Sequence, residues 1–499
     1  MKKRLFFATQ KWLMILFFLS VPVTSFPFFP SSFGGNSAVV RPLLVYPLLG
    51  LVMLVTLPRL FSQPLSKPVL ILLFFFMWAV ISSLVPFIRG VESPWREVSL
   101  FSRMLRTLIT LVLAMSVYLT VALIPRNGDE LIDSLRWLYM GLIMALIWGT
   151  FQAVYILDLV PNLYEWMNKL QGFISIHDLQ SSRISGMTYE PSWFSDQILI
   201  IWLPFVLGAS LTDYSLFPWR LKWVTIEKIL LVWTFGILAF TLSRTGLVLG
   251  VGLIVFGALL NLSYLLFKGE VQIEREAKKK KKRLIGGINS FLQKPILLIS
   301  IAVLLFLALF ILVGSQSGYI SRIWKYWFSS GEKNFRDYFA YIGFLPRITY
   351  WQTAYNIFRK HPIFGVGLGN FTIYFSDLLP FVHLARAPEL LRHLVPRPGR
   401  SRVLTAKHFL LRILAETGLV GMGIFLTFLL ILLAGGFHLW LSEDEVDHFW
   451  GTVSILGVVA FVVDSFSFDS FAIPNPWITF GLITAAYRIL SGGKEEEGV

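Results

Sequence analysis

Three short stretches of this 499-residue chain hold polar side chains where long apolar runs leave little room for them. Ser182-Arg183-Ile184-Ser185-Gly186-Met187-Thr188-Tyr189-Glu190-Pro191 stands just before an apolar run that itself contains Asp196. Ser243-Arg244-Thr245-Gly246 is squeezed between two apolar runs with almost no loop, so its guanidinium either snorkels to lipid headgroups or points into a polar cavity. In the stretch 407–418, His408, Arg412 and Glu416 recur every four residues and share one helix face. Guanidinium groups capture phosphate and diphosphate oxygens bidentately. A histidine titrates near neutral pH and can accept a hydroxyl proton. Together, Arg183, Arg244 and His408 supply what transfer from a diphosphate-linked donor to an alcohol requires: arginines to stabilise the leaving diphosphate and a base for the attacking oxygen. Singly, each has a plainer reading, a headgroup-seeking arginine or a packed histidine.

The elements that position these residues must be membrane helices. The chain is 56% hydrophobic and 15% charged, with a mean hydropathy of +0.68, which excludes a soluble globular enzyme. Apolar runs long enough for a bilayer predict about twelve spans, near 12–29, 40–58, 68–88, 104–124, 132–157, 193–211, 226–243, 245–266, 295–314, 418–438, 449–464 and 471–490. The fold class is therefore all-α and polytopic. With 45 Phe and 17 Trp the composition suits lipid-facing helices with aromatic belts, whereas a β-barrel would alternate in short segments. There is no cysteine, hence no disulfide and no thiolate metal or redox site.

Charge sets the orientation. The net charge is +15, and Lys2, Lys3, Arg4 and Lys11, together with the lysine run 278–282 and Arg283, belong on the cytoplasmic side, which with twelve spans puts both termini there. The lysine run reads as a solvated loop beside anionic membrane lipids, and no nucleic-acid partner is expected. The first apolar run continues through Pro22, Pro27 and Pro30 without a cleavage-site pattern, so it is read as a retained span and not a signal peptide. The loop 442–447 is acidic and cytoplasmic, which the orientation rule tolerates. Arg89, Arg96, Arg103 and Arg106 fall outside, an exception that calls for a functional explanation.

Two outer segments, 158–191 and 315–417, exceed what connectivity needs. In the longer one, 347–360 carries Trp351, Ala354, Tyr355 and Phe358 at helical spacing and is expected to lie along the outer interface, and a second short helix begins near His408. Its tract 386–402 is rich in arginine and lacks lysine. Arg183, Arg244 and His408 all map to outer ends of spans, so they can converge on one external cavity. No nucleotide is available there, so the donor is expected to be lipid-linked.

His361-Pro362-Ile363-Phe364-Gly365-Val366-Gly367-Leu368-Gly369-Asn370-Phe371, followed by His408 and Ala415-Glu416-Thr417-Gly418-Leu419-Val420-Gly421, resembles the O-antigen ligase and O-antigen polymerase family of bacterial envelope glycosyltransferases. The pair Ser243-Arg244 and the pattern Arg183-x-x-Gly186-x-x-x-Glu190-Pro191 resemble it too. The glycine segment alone is only a tight turn and no dinucleotide fingerprint. The resemblance covers roughly 180–440. It implies an N-terminal region over 1–179, a catalytic region over 180–440 that includes the outer loop 315–417, and two closing spans in 441–499. It implies a GT-C-like fold in the bacterial inner membrane, with the active site facing outward.

The same resemblance implies a metal-independent, inverting transfer without a cofactor. Arg183 and Arg244 would hold the diphosphate of an undecaprenyl-diphosphate-linked glycan, His408 would be the base, and Arg347, Glu190 and Arg412 would contact substrate. The acceptor would be a sugar hydroxyl, on the lipid A core for a ligase or on another lipid-linked glycan for a polymerase. Phe409 departs from the family pattern, which often has a small polar residue there. Two other classes compete: a twelve-span transporter or lipid-linked glycan flippase, and a noncatalytic scaffold. The first would leave the long outer loop unexplained and would be expected to show a repeat between halves. The second would tolerate replacement of Arg244 and His408.

Overall fold

The computed structural model describes residues 2–29, 39–91, 99–276, 318–329, 331, 333–380, 390 and 404–496. The lysine run, Arg96, the tract 386–402 apart from Leu390, and the predicted span 295–314 lie outside the described residues. The described residues are mostly helical: α1 (Lys2–Ser20), α2 (Val45–Ser62), α3 (Lys67–Ile88), α4 (Leu100–Leu123), α5 (Gly128–Ile156), α6 (Leu163–Ile174), α7 (Pro191–Thr212), α8 (Ile226–Phe240) and α9 (Arg244–Glu276) are followed by α10 (Gly318–Phe328), α11 (Phe335–Tyr341), α12 (Leu345–Lys360), α13 (Phe371–Leu378), α14 (Phe409–Trp440), α15 (Glu445–Asp464) and α16 (Asn475–Glu496). Among the described residues the β-structure is a two-stranded hairpin, β1 (Arg220–Leu221) with β2 (Val224–Thr225), and a bridge between Ser25 and Arg41.

Among the described residues, eight helices are long and apolar enough to cross a membrane: α2, α3, α4, α5, α7, α9, α14 and α15. Three more predicted runs coincide with helices outside that set, α1, α8 and α16. The first differs from its predicted limits 12–29. Helix α1 stops at Ser20 because Pro22, Pro27 and their neighbours cannot continue it, and the chain turns into the Ser25–Arg41 bridge. Helix α8 has 15 residues and ends in the turn at Thr241–Leu242, where Leu242 takes a positive φ of 47°.

Helix α7 forms the centre. Its apolar residues run all round the axis and its apolar stretch is enclosed by protein, which marks an interior helix rather than an amphipathic surface one. A π-helical segment at Ile198–Trp202 sits just before Pro204, where a proline removes a helical N–H bond. Helices α8, α9 and α15 pack around α7, α14 packs on α15 and on α3, and α16 packs on α4. Helix α14 breaks at Gly418, with φ 69° and ψ −168°, into a short piece 409–417 and a long piece 419–440.

The bundle has two distinct ends. At one, α7, α9, α14 and α16 begin while α1, α8 and α15 finish, tied by contacts such as Tyr189 N–H to Thr24 Oγ1 (3.4 Å), Ile184 N–H to the Phe240 carbonyl (3.1 Å) and Phe409 N–H to the Ser465 carbonyl (2.6 Å). At the other, Arg59 donates to the carbonyl of Ile124 (2.5 Å), Arg136 to that of Leu216 and Arg488 to that of Pro125, and the Arg126 guanidinium lies over the Phe7 ring.

Candidate active site

The first end gathers every candidate residue. Residues 183–184 run along the finish of α8: Arg183 Nε donates to the Thr241 carbonyl at 2.9 Å. Ser243 caps α9 by accepting from Gly246 N–H at 3.2 Å, which places Arg244 in the first turn of a 33-residue helix. A helix N-terminus carries partial positive charge, so Arg244 adds a guanidinium where an anion is already favoured. Its Nη1 donates to the Ile342 carbonyl at 2.6 Å, tying the turn to the loop before α12. Gly246 is required here, because a Cβ would collide with Ser195 Oγ of α7. Glu190 precedes α7 and accepts from Ser192 Oγ at 2.5 Å.

His408 stands at the opening of α14, gripped by the loop 464–471. Lys407 takes a positive φ of 53° and its N–H reaches Asp469 Oδ2 at 2.7 Å, while Phe409 N–H reaches the Ser465 carbonyl. Phe409, the residue at odds with the family pattern, is fully buried against the rings of Phe425, Phe461, Phe468, Phe471 and Trp477. It is an aromatic anchor for the start of α14. The His408 ring meets Trp351 of α12 edge to face, with centroids 5.4 Å apart, and Trp351 Nε1 donates to the Lys407 carbonyl at 3.3 Å. Its Nδ1 is buried with no hydrogen-bond partner among the described residues. Burial pushes the imidazole down to about 4, with the Asp469 carboxylate pulling the other way. The ring is therefore neutral at pH 7 and able to accept a proton.

Helix α12 links these two sites. Arg347, in its first turn, donates through Nη1 to the Phe466 carbonyl at 2.9 Å and interacts electrostatically with the buried Asp196 and Asp464. One turn later Trp351 touches His408, and just before the helix Ile342 receives Arg244. A 16-residue helix is about 24 Å long, so its far end, Lys360-His361, reaches a different face of the bundle, where Arg89 Nη1 lies 3.0 Å from His361 Nδ1.

Arg412 is committed to partners within the protein. Its side chain is buried, pairs with Glu416 at 3.0 Å, donates to the Asp469 carbonyl and lies over the Phe471 ring. Glu416 also interacts with Arg103, whose Nε donates to the Gly369 carbonyl at 2.8 Å. That contact accounts for one arginine of the outer exception. The glycine segment is packed into the break of α14: Val366 and Gly367 N–H donate to the Ala415 and Glu416 carbonyls, and Leu368 N–H donates to Ser83 Oγ. Gly365, Gly367, Gly369 and Gly418 all have positive φ, and a Cβ on Gly365 would lie 2.5 Å from the Glu416 backbone.

Residues 229–426 match the family model described as O-antigen ligase. The match covers about two fifths of the chain, and over that stretch the chain is similar to O-antigen ligase. The matched stretch holds Arg244, Arg347, His408 and Arg412, and it supports the family resemblance read from the sequence motifs. Arg183 and Glu190 lie before it, and Arg183 reaches the matched stretch through its bond to the Thr241 carbonyl. No curated protein matches the chain. Sequence reasoning passed over Asp464 and Asp469. The signal was available: two carboxylates in an otherwise apolar stretch, where charge is expensive and functional by default.

Proposed function

We propose that this protein is a bacterial membrane glycosyltransferase that moves a glycan from undecaprenyl diphosphate to a sugar hydroxyl on the extracytoplasmic side. The observation that carries the reading is the neutral His408 imidazole with a buried, unpartnered Nδ1, at the same bundle end as the Arg183/Arg244 turn. Placing the basic N-terminus inside directs that end outward, in the inner membrane with both termini cytoplasmic.

The acceptor hydroxyl gives its proton to His408 as its oxygen attacks the anomeric carbon. The bond from that carbon to the diphosphate oxygen breaks, its electron pair leaves with undecaprenyl diphosphate, and attack from the opposite face inverts the centre. Arg183 and Arg244, aided by the start of α9, stabilise the growing charge on the diphosphate. Arg347 holds the opening of α12 against loop 464–471, beside the buried Asp196 and Asp464. Arg412 acts on His408 indirectly, by locking Asp469. Glu190 would meet a sugar hydroxyl of the substrate.

The test is transfer by the purified full chain in vesicles, given an undecaprenyl-diphosphate oligosaccharide, EDTA, and either lipid A core or no second acceptor. Product formed only with core means a ligase, and a ladder from donor alone means a polymerase. Donor moved to the opposite leaflet with no product in either arm would overturn the reading in favour of a flippase.

A further inference from the structure

Three helices bring a second polar cluster to the same end of the bundle, and the transfer step uses none of it. Asp196 stands in the second turn of α7, Asp464 is the last residue of α15 and Asn475 the first of α16. Asp464 is fully buried, Asn475 is 3% exposed and Asp196 5%, so bulk water does not solvate them. Asp196 Oδ1, both carboxylate oxygens of Asp464 and Asn475 Oδ1 have no hydrogen-bond partner among the described residues. The two carboxylates interact electrostatically with each other, and the Ser467 hydroxyl lies beside both, short of hydrogen-bond geometry.

Asp196 and Asn475 line a small cavity with Thr24, Trp193 and Phe468, with room for about one water-sized particle. The charge around it does not close. Arg347 interacts with both carboxylates, while Glu190, half-exposed, acts weakly on Asp196. An unpaired buried charge is costly, so two carboxylates beside one guanidinium must take up one more positive charge, as a proton or as a metal cation. A shared proton joins two oxygens and leaves the others without a donor. A cation serves several at once, because hard cations bind carboxylate and amide carbonyl oxygens together. Magnesium holds on to several of its waters, for which the cavity has no room. A divalent ion would also leave the enclosure with excess positive charge.

We propose that Asp196, Asp464 and Asn475 form a binding site for one sodium ion, which ties α7, α15 and α16 together. The site goes beyond the transferase reading, since the ion binds without donor or acceptor. Its path to His408 runs through loop 464–471, which Asp464 opens: the Ser465 carbonyl and the Asp469 carboxylate of that loop hold the N–H groups of Phe409 and Lys407. Sodium steadies this clamp from behind and meets none of the reacting groups, so the transfer step itself remains metal-independent. EDTA does not remove sodium, and the vesicle assay in its presence leaves the site filled.

Binding is measured on the purified full chain in detergent, without glycan, as retention of radioactive sodium. Its melting temperature is taken in sodium, potassium and choline chloride at equal ionic strength. The expected results are saturable binding of one sodium ion per chain and the highest melting temperature in sodium, because an ion held only by the folded state stabilises it. Asp464→Asn should weaken sodium binding about tenfold, since the affinity of a hard cation follows the charge of its ligands, and should erase the sodium-dependent part of the melting temperature. Asn475→Leu keeps both carboxylates and should weaken binding less, which separates loss of a ligand from loss of the fold. Absence of saturable binding to the wild-type chain, equal melting temperatures in the three salts, or unchanged binding in both variants overturns the proposal. A melting temperature that follows pH but not sodium also overturns it, because the pair would then hold a proton in place of the ion.

Discussion

The glycine segment 361–371 and the opening of α14 at His408 belong to one family pattern, yet the structure uses them differently. In the glycine segment the polar backbone is spent on packing: carbonyls of Phe364 and Gly369 are taken by Ser82 and Arg103, and N–H groups go to α14 and Ser83. At His408 the backbone is fully clamped by loop 464–471, but the ring keeps a buried nitrogen with no partner among the described residues. An unsatisfied buried polar atom costs roughly 1–3 kcal/mol, and a ligand hydroxyl is one partner that would remove that cost at His408. The conspicuous motif builds the frame, and the quieter one is fitted for chemistry.

Breaking the quieter region should have the largest effect. His408→Gln is expected to lower the transfer rate about 10²–10⁴-fold, the usual worth of a general base, with the melting temperature of the purified protein unchanged. Arg244→Ala should cost on the order of 10²–10³-fold, and Arg244→Lys should recover part of it, read as initial transfer rates at saturating acceptor. An Arg244→Ala protein with full activity would leave that guanidinium a merely structural role.

Breaking the frame should look different. Gly365→Ala forces a Cβ onto the Glu416 backbone at a positive φ, which costs roughly 1–3 kcal/mol. The expected outcome is a lower melting temperature and less folded protein, with the rate per folded molecule close to wild type.

Much of the fold was visible in the sequence because apolar length and helix breaks are local properties. The helix over 345–360, the short helix from 409 and the clustering of Arg183, Arg244 and His408 at one end follow from them. What stayed hidden depends on tertiary contact. Spacing at four residues puts Arg412 on the face of His408, but only the packed loop 464–471 shows its charge given to Glu416 and Asp469. Phe409 looks like a defect in the motif until five aromatic rings close around it, and Arg103 looks like an orientation anomaly until Gly369 meets it. The early end of α1 at Ser20 was written in Pro22 and Pro27, where hydropathy alone ran on.

The smallest predicted effect is on pH dependence. Because burial holds the His408 imidazole near 4, it stays unprotonated through neutral pH. Transfer should be nearly flat from about pH 8 to pH 5 and fall below that as the ring takes up a proton. An acid limb centred near the ordinary histidine value of about 6.5 would mean that substrate binding restores the basicity that burial removes.

The most direct measurement is the transfer rate per folded molecule for His408→Gln and Gly418→Ala side by side, each with its melting curve. Gly418 has a positive φ of 69° and abuts the Ile363 carbonyl, so it belongs wholly to the frame. The account predicts a stable, inactive His408→Gln protein and a less stable Gly418→Ala protein that transfers at nearly the wild-type rate. An active His408→Gln protein, or a stable Gly418→Ala protein that has lost transfer, would contradict it.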